Sequence, residues 1–290
     1  MSLPVQVIRL SVIGAVVAGV VAFKVIAGNS VEKKLDKLVA ESNGAFAYEN
    51  ASVDLLGLDV HIDGVRLKDG RRDLHIDEVV VHSYDDKHEV PQYMDFEVNG
   101  IELDMKAIEK DPALGRLVSE LGYEQLEANM AIDYKVNKKK KVFDLKEFSF
   151  AIKDAGELEL EAKIYGIDDV RQLAFVAMAP QMVKVGEMSI KYEDDSLVDR
   201  IIKVNAKEAG MDVAAYKEKL LESLEKEIEK AKAKNEDDKA DVLEEVYDFI
   251  DDPKEFEVSI DPKEPVLLGH ISRLSNDEIK ELLNLKISAD

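Results

Sequence analysis

Apolar and polar residues alternate in short runs along the first two thirds of the chain. Leu56, Leu58, Val60 and Ile62 share one parity, while Asp59, His61 and Asp63 occupy the other. A period of two marks a strand with one covered face and one wet face. Gly64 and then Asp69-Gly70 punctuate the run, the second pair being a hairpin signal. In the next run Leu74, Ile76, Glu78 and Val80 alternate less cleanly with Asp73, His75, Asp77 and Val79, which predicts a strand partly buried on both faces. Met94, Phe96 and Val98 form a further row. After Asn99-Gly100 it resumes one residue out of step as Ile101, Leu103 and Met105, the pattern of a bulge or tight turn. Leu126, Ala128, Met130, Ile132, Tyr134 and Val136 make the longest clean row. Phe148, Phe150 and Ile152 follow, then Leu158, Leu160, Ala162 and Ile164, then Met188, Ile190 and Tyr192. These rows predict an antiparallel meander with one apolar face, a curved sheet interrupted by helices around Ala113–Leu121 and Asp169–Val183.

The period changes to helical in two places. Val31, Leu35, Leu38 and Val39 predict a short helix near the start. Beyond Glu193, Asp194-Asp195 can cap a helix running to Ala209, with Gly210 as its terminator. Asp212 caps a longer one to about Lys234, whose stripe is Tyr216, Leu220, Leu224, Ile228 and Ala231. The segment from Ala240 to Ile250 is its natural mate in a helical hairpin, with Asn235–Lys239 as the loop. Asp252-Pro253 stops that helix, Phe256, Val258 and Ile260 alternate as a last strand, and Ser275 with Glu278 forms a capping box for a helix through Leu285. The expected fold class is therefore α+β, in three parts: residues 1–29, a β-rich domain over 30–193, and an acidic helical segment with one late strand over 194–290.

Val5–Ala27 stands apart, being apolar except for Gln6, Arg9, Ser11 and Lys24. A spanning helix needs about 20 mostly apolar residues, and the uncharged core between Arg9 and Lys24 is shorter. Both basic residues lie near the ends, where their side chains can snorkel to the headgroups, so the expectation is an uncleaved signal anchor. A cleaved signal peptide and a buried helix are the competing interpretations. Lys33, Lys34 and Lys37 after the helix outnumber Arg9 before it, yet long C-terminal domains translocate with little regard to such charge, which favours N-in, C-out. Gly14, Ala15, Ala18, Gly19 and Ala22 form a small-residue face able to pack against another membrane helix.

Composition narrows the partners. The 290 residues carry a formal charge of −22 and no cysteine, and 46% are hydrophobic. That is enough apolar material for one or two domains with a real core. Strong acidity disfavours nucleic acid, which would repel it. Without cysteine there are no disulfides, thiolate metal sites or thiol nucleophiles.

Candidate chemistry is sparse. His61, His75, His82 and His88 crowd the first third, but parity places His75 and His82 on opposite faces of one strand, and no pair has the spacing of a metal-binding helix. They are expected to be surface histidines. The acidic doublets Asp85-Asp86, Asp194-Asp195 and Asp251-Asp252 lack the spaced pattern of a calcium loop. No nucleophile elbow or phosphate-binding glycine loop is present, so no enzyme activity, metal or cofactor is expected. Lys138–Lys141 form the densest positive cluster, expected to be a solvated hairpin loop.

Tyr48–Leu67, followed by Lys68–Val81, resembles the opening of AsmA-like bacterial envelope proteins, in which a signal anchor precedes strand pairs of the form core row, Gly-Val-x-Leu (here Gly64-Val65-Arg66-Leu67), short turn, next row. The resemblance implies a single-pass inner-membrane protein whose periplasmic sheet offers an apolar groove, associated with lipid traffic or envelope maintenance. The chain departs from that pattern after Asp194, where acidic helices replace further strands. Two functions are expected from these features. One is a lipid-binding module with Leu126, Met130, Ile132, Tyr134, Phe148, Phe150, Leu158 and Leu160 facing lipid. The other is a structural or accessory subunit that contacts an envelope partner, or a second copy, through the small-residue face of the anchor.

Overall fold

The computed structural model describes residues 31–54, 59–69, 72–88, 90–102, 105, 108, 114–176, 179–271 and 274–290. The anchor expected over Val5–Ala27, with its small-residue face, and Leu56, Leu58 and Leu103 lie outside these residues. Among the described residues no helix is long and apolar enough to cross a membrane. The chain is α+β and its strand pairs are antiparallel. It divides into two compact units, Met1–Lys135 with Lys146–Lys153, and Val136–Leu145 with Asp154–Asp290. The division thus falls within one hairpin and at 153/154, not at 193/194. The strand that precedes the acidic helices, Lys184–Asp194, pairs with strands that follow them, and this long-range pairing holds both sides in one unit.

The first unit contains helix α1 (Val31–Glu41) and strands β1 (Phe46–Ala47), β2 (Asn50–Val53), β3 (Val60–Asp69), β4 (Arg72–Tyr84) and β5 (Tyr93–Glu102). Helix α2 (Leu114–Leu121), most of β6 (Glu127–Asn137) and the second half of β7 (Val142–Ile152) complete it. The order is β1-β3-β4-β5-β6-β7, with β2 also on β3. Asp69 pairs with Arg72 as the hairpin signal requires.

The core rows of three adjacent strands change phase at one level. Val60 pairs with Val81 and Ile62 with Val79, and beyond Gly64 the core pairs become Val65 with Ile76 and Leu67 with Leu74. On β5 the core residues are Phe96 and Val98, then Ile101. Each strand therefore spends one extra residue at Gly64, Asp77 and Gly100, and the two glycines take φ of 61° and 66°, which a side chain resists. β6 keeps a strict alternation, so the whole offset appears as a register shift between Val98 and Ile101 where β5 meets it. The bulge expected at Asn99-Gly100 is present. The core row of β4 is Leu74, Ile76, Val79 and Val81, not Leu74 to Val80, although Val80 is also buried. Strand β5 ends at Glu102, opposite the first residue of β6, and the backbone at Met105 is helical, so the row does not run on to Met105. Leu35 of α1 is fully buried against this core with Phe46, Ile62, Ile76 and Ile101. Each such side chain is worth about 1.5–3 kcal/mol of burial.

The second unit contains β8 (Gly156–Tyr165), β9 (Lys184–Asp194), helices α3 (Leu197–Glu208), α4 (Val213–Ala233) and α5 (Asp237–Asp251), then β10 (Glu255–Ile260), β11 (Val266–Leu267), α6 (Leu268–Ile271), α7 (Asn276–Leu283) and β12 (Lys286–Ala289). The order is β8-β9-β10-β12, with β11 on β9. In place of a helix over Asp169–Val183 there are two 3-10 turns, Val170–Phe175 and Pro180–Met182. Pro180 lacks an N–H and disfavours helical backbone before it, and Ala179 sits at φ −133°. Asp194 Oδ1 accepts from Val198 N at 3.0 Å, Asp212 caps α4 through Ala214 N, and Gly210 follows α3 at φ 65°. α5 begins at Asp237, shortening the expected loop, because Asp237 and Asp238 favour the positive end of the helix dipole. Tyr247, Leu243, Ala240, Ala231 and Ile228 seal the hairpin. The capping box Ser275–Glu278 is formed, and Asn284 at φ 49° ends α7 at Leu283, two residues before the expected terminus. β10 is not the last strand: Phe256 pairs with Ala289 and Val258 with Ile287 of β12.

Candidate functional site

The lipid-facing expectation divides between the units. Leu126, Met130, Tyr134 and Phe150 are buried, and Ile132 and Phe148 pack against the core that holds Met130 and Phe150. These six are core residues, not a lipid-facing row. Tyr134 also donates from its hydroxyl to Pro91 O at 3.0 Å, and burial, with Asp85 nearby, pushes its phenol up to about 12. Leu158 and Leu160 of the second unit are only half-buried.

Strand register explains what surrounds them. Leu160 pairs with Ile190 and Leu158 with Tyr192, while Ile190 pairs with Val258 and Tyr192 with Phe256. Directly paired residues share a face, so Leu160, Ile190, Val258 and Ile287 form one apolar row across four strands. One end of this face is covered, where Phe249 of α5 meets Tyr192 at 6.1 Å and Phe256 at 5.5 Å between ring centroids. At the other end Ile260 packs with Val185, Val266 and Leu283. Between them Ile190 is 38% exposed, although β9 has a strand on each side. A large apolar residue on an interior strand is normally sealed by a second layer.

The opposite face of this sheet is charged. Lys191 lies 2.6 Å from Glu193 and 3.1 Å from Glu159, which hold its ammonium well above the ordinary lysine range, and 3.9 Å from Glu255. The four strands are thus apolar on one face and ionic on the other.

On the first unit each histidine meets a carboxylate on the polar side. His61 Nδ1 lies 2.8 Å from Glu78, and His75 Nε2 lies 3.4 Å from Asp77. His82 Nδ1 and Nε2 each lie 3.2 Å from an acid, Asp59 and Glu97 respectively. Because of the phase change at Asp77, His75 and His82 share the polar side, contrary to simple parity. Among the described residues no group of three His, Asp or Glu is placed to hold a metal. His88 Nδ1 stands 2.6 Å from Asp85, which is buried in the β4–β5 connection. Asp85 also accepts from Lys87 N at 3.0 Å and Gln92 N at 2.9 Å, a loop staple that sequence spacing alone did not reveal. Burial opposes ionisation there, but those donors and His88 outweigh it and bring the carboxyl below its ordinary value.

The lysine turn is exposed and tied at its base. Asn137 Oδ1 accepts from Lys140 N, Lys141 takes φ 52°, and Lys141 O accepts from Gly166 N at 2.8 Å. Lys141 Nζ also reaches Asp168 at 3.6 Å.

Two comparisons with known proteins bear on the chain. No curated protein matches it. Residues 149–290 match a protein family described as "Uncharacterized protein", a span that begins within β7 and takes in all four strands of the row Leu160, Ile190, Val258 and Ile287.

Proposed function

We propose that the chain is a non-catalytic envelope protein, anchored in the bacterial inner membrane by Val5–Ala27, whose periplasmic second unit shields a lipid acyl chain on the row Leu160, Ile190, Val258 and Ile287. The observation that carries this function is Ile190, 38% exposed on an interior strand among half-buried apolar neighbours. The resemblance of Tyr48–Val81 to AsmA-like proteins points the same way. An apolar surface of this kind costs free energy in water and gains it against hydrocarbon, at about 25 cal/mol per Å². Native mass spectrometry of the detergent-extracted full chain tests it. Lipid is expected to leave with the wild type and to be absent from Ile190→Glu, whose half-open position tolerates a charge; a lipid-free wild type refutes the function.

One observation favours an accessory-subunit role. Ile201, Val213 and Val242 are exposed apolar residues on α3, α4 and α5 of the second unit. Leucine at Gly14, Ala18 and Ala22 would then disperse a complex on a native gel, and unchanged migration counts against it.

A further inference from the structure

We propose that His82 is a pH-operated clasp across β3, β4 and β5: protonated, it ties Asp59 to Glu97; neutral, it can hold only one of them. The geometry requires the charged form. Both ring nitrogens face carboxylate oxygens, Nδ1 at 3.2 Å from Asp59 Oδ2 and Nε2 at 3.2 Å from Glu97 Oε1. A neutral imidazole carries one N–H and one lone pair, so one of the two acids would face a lone pair. Loss of the proton to solvent therefore turns one of the two contacts from attraction into repulsion.

The surroundings reinforce the charge. From β5, Asp95 faces His82 in addition to Glu97, and the next strands contribute Asp133 of β6, which is neutralised by Lys146 of β7 at 2.6 Å. His61 of β3 is engaged with Glu78 of β4. Among the described residues the charges closest to His82 are thus acidic. Burial works against the imidazolium, but Glu97, Asp59 and Asp95 outweigh it and raise His82 above its ordinary 6.5.

The clasp acts on a defined part of the sheet. Asp59 precedes β3, and its carbonyl accepts from Asp54 N at 2.8 Å, closing the β2–β3 end where Val53 pairs with Val60. Tying Asp59 to Glu97 thus holds that end to β5 with β4 between. A raised folded value means that the stabilisation is fully present below the unfolded value and is lost as pH rises through the folded one.

The test uses the full chain in detergent micelles, labelled with 13C-histidine, with the His82 signal assigned by its loss in His82→Gln. The expected result is a His82 titration midpoint above 6.5, lowered towards 6.5 in Glu97→Gln. The thermal midpoint of the wild type should fall by a few degrees more than that of His82→Gln as pH rises through that value. A His82 midpoint at or below 6.5, no response to Glu97→Gln, or parallel thermal curves for wild type and His82→Gln would overturn the clasp.

Discussion

Truncating Met130 and Ile190 to alanine separates a sealed apolar row from an open one. Met130 lies on β6, is 4% exposed and belongs to the first unit's core. Large-to-small changes at such sites cost about 2–5 kcal/mol, the transfer term plus the cavity left behind. Ile190 loses about three methylene equivalents at about 0.8 kcal/mol each. With 38% of the residue already in water, about six tenths of that sum applies. The expected cost is about 1.5 kcal/mol, with little cavity term because solvent fills the space. Hydrogen exchange read by mass spectrometry reports each unit separately. Met130→Ala should raise exchange in β5 and β6 strongly, whereas Ile190→Ala should raise it mildly in β9 and β10 and should weaken lipid retention. Equal costs at the two sites, or a cost at Met130 below about 1 kcal/mol, would refute the division into sealed and open rows.

Two further substitutions probe the fold around these surfaces. Asp85→Asn removes a buried charge that accepts from Lys87 N and Gln92 N and pairs with His88, at an expected cost of about 1.5–3 kcal/mol near neutral pH. Since the folded value of Asp85 is lowered, its contribution is present above the unfolded value near 3.9 and lost as pH falls through the folded one. Urea titrations of the two proteins should therefore converge in acid, and a gap that persists at low pH contradicts that role. Gly100→Val places a β-branched residue at φ 66°, with its Cβ against the Asp77 carboxylate unless that side chain moves, and should cost about 1–3 kcal/mol in the same titration. A neutral effect would mean that the bulge in β5 is not needed to keep the core rows in phase.

Legibility varied with how local each feature is. The bulge at Asn99-Gly100 is written in one strand, because the apolar row slips by one residue there. The matching slip on β3 is equally present in Val60, Ile62, Val65 and Leu67, but Gly64 also reads as punctuation at the end of a strand. On β4 three consecutive valines, Val79 to Val81, obscure the phase. Caps were legible at Asp212 and Ser275 because a cap is a contact over two or three residues. β12 was not, since Lys286–Ala289 is only four residues long and gains its strand form from pairing with β10. The histidine pairs were hidden for a related reason: Glu97 stands fifteen positions from His82 in the chain and beside it only once β4 and β5 are aligned.

By itself the sequence determines which side chains leave water and with what period, hence the α+β class, the strand rows, the helical hairpin and its caps. It also determines the apolar stretch Val5–Ala27 and the acidity of the rest. Only the tertiary structure decides that β10 and β12 extend the sheet begun by β8 and β9, that the glycine-marked slip runs across three strands, and which row is sealed. Met130 and Ile190 are alike in hydrophobicity and in alternation. What differs is the layer placed over them, and that cover comes from elements remote in sequence, which no local periodicity records.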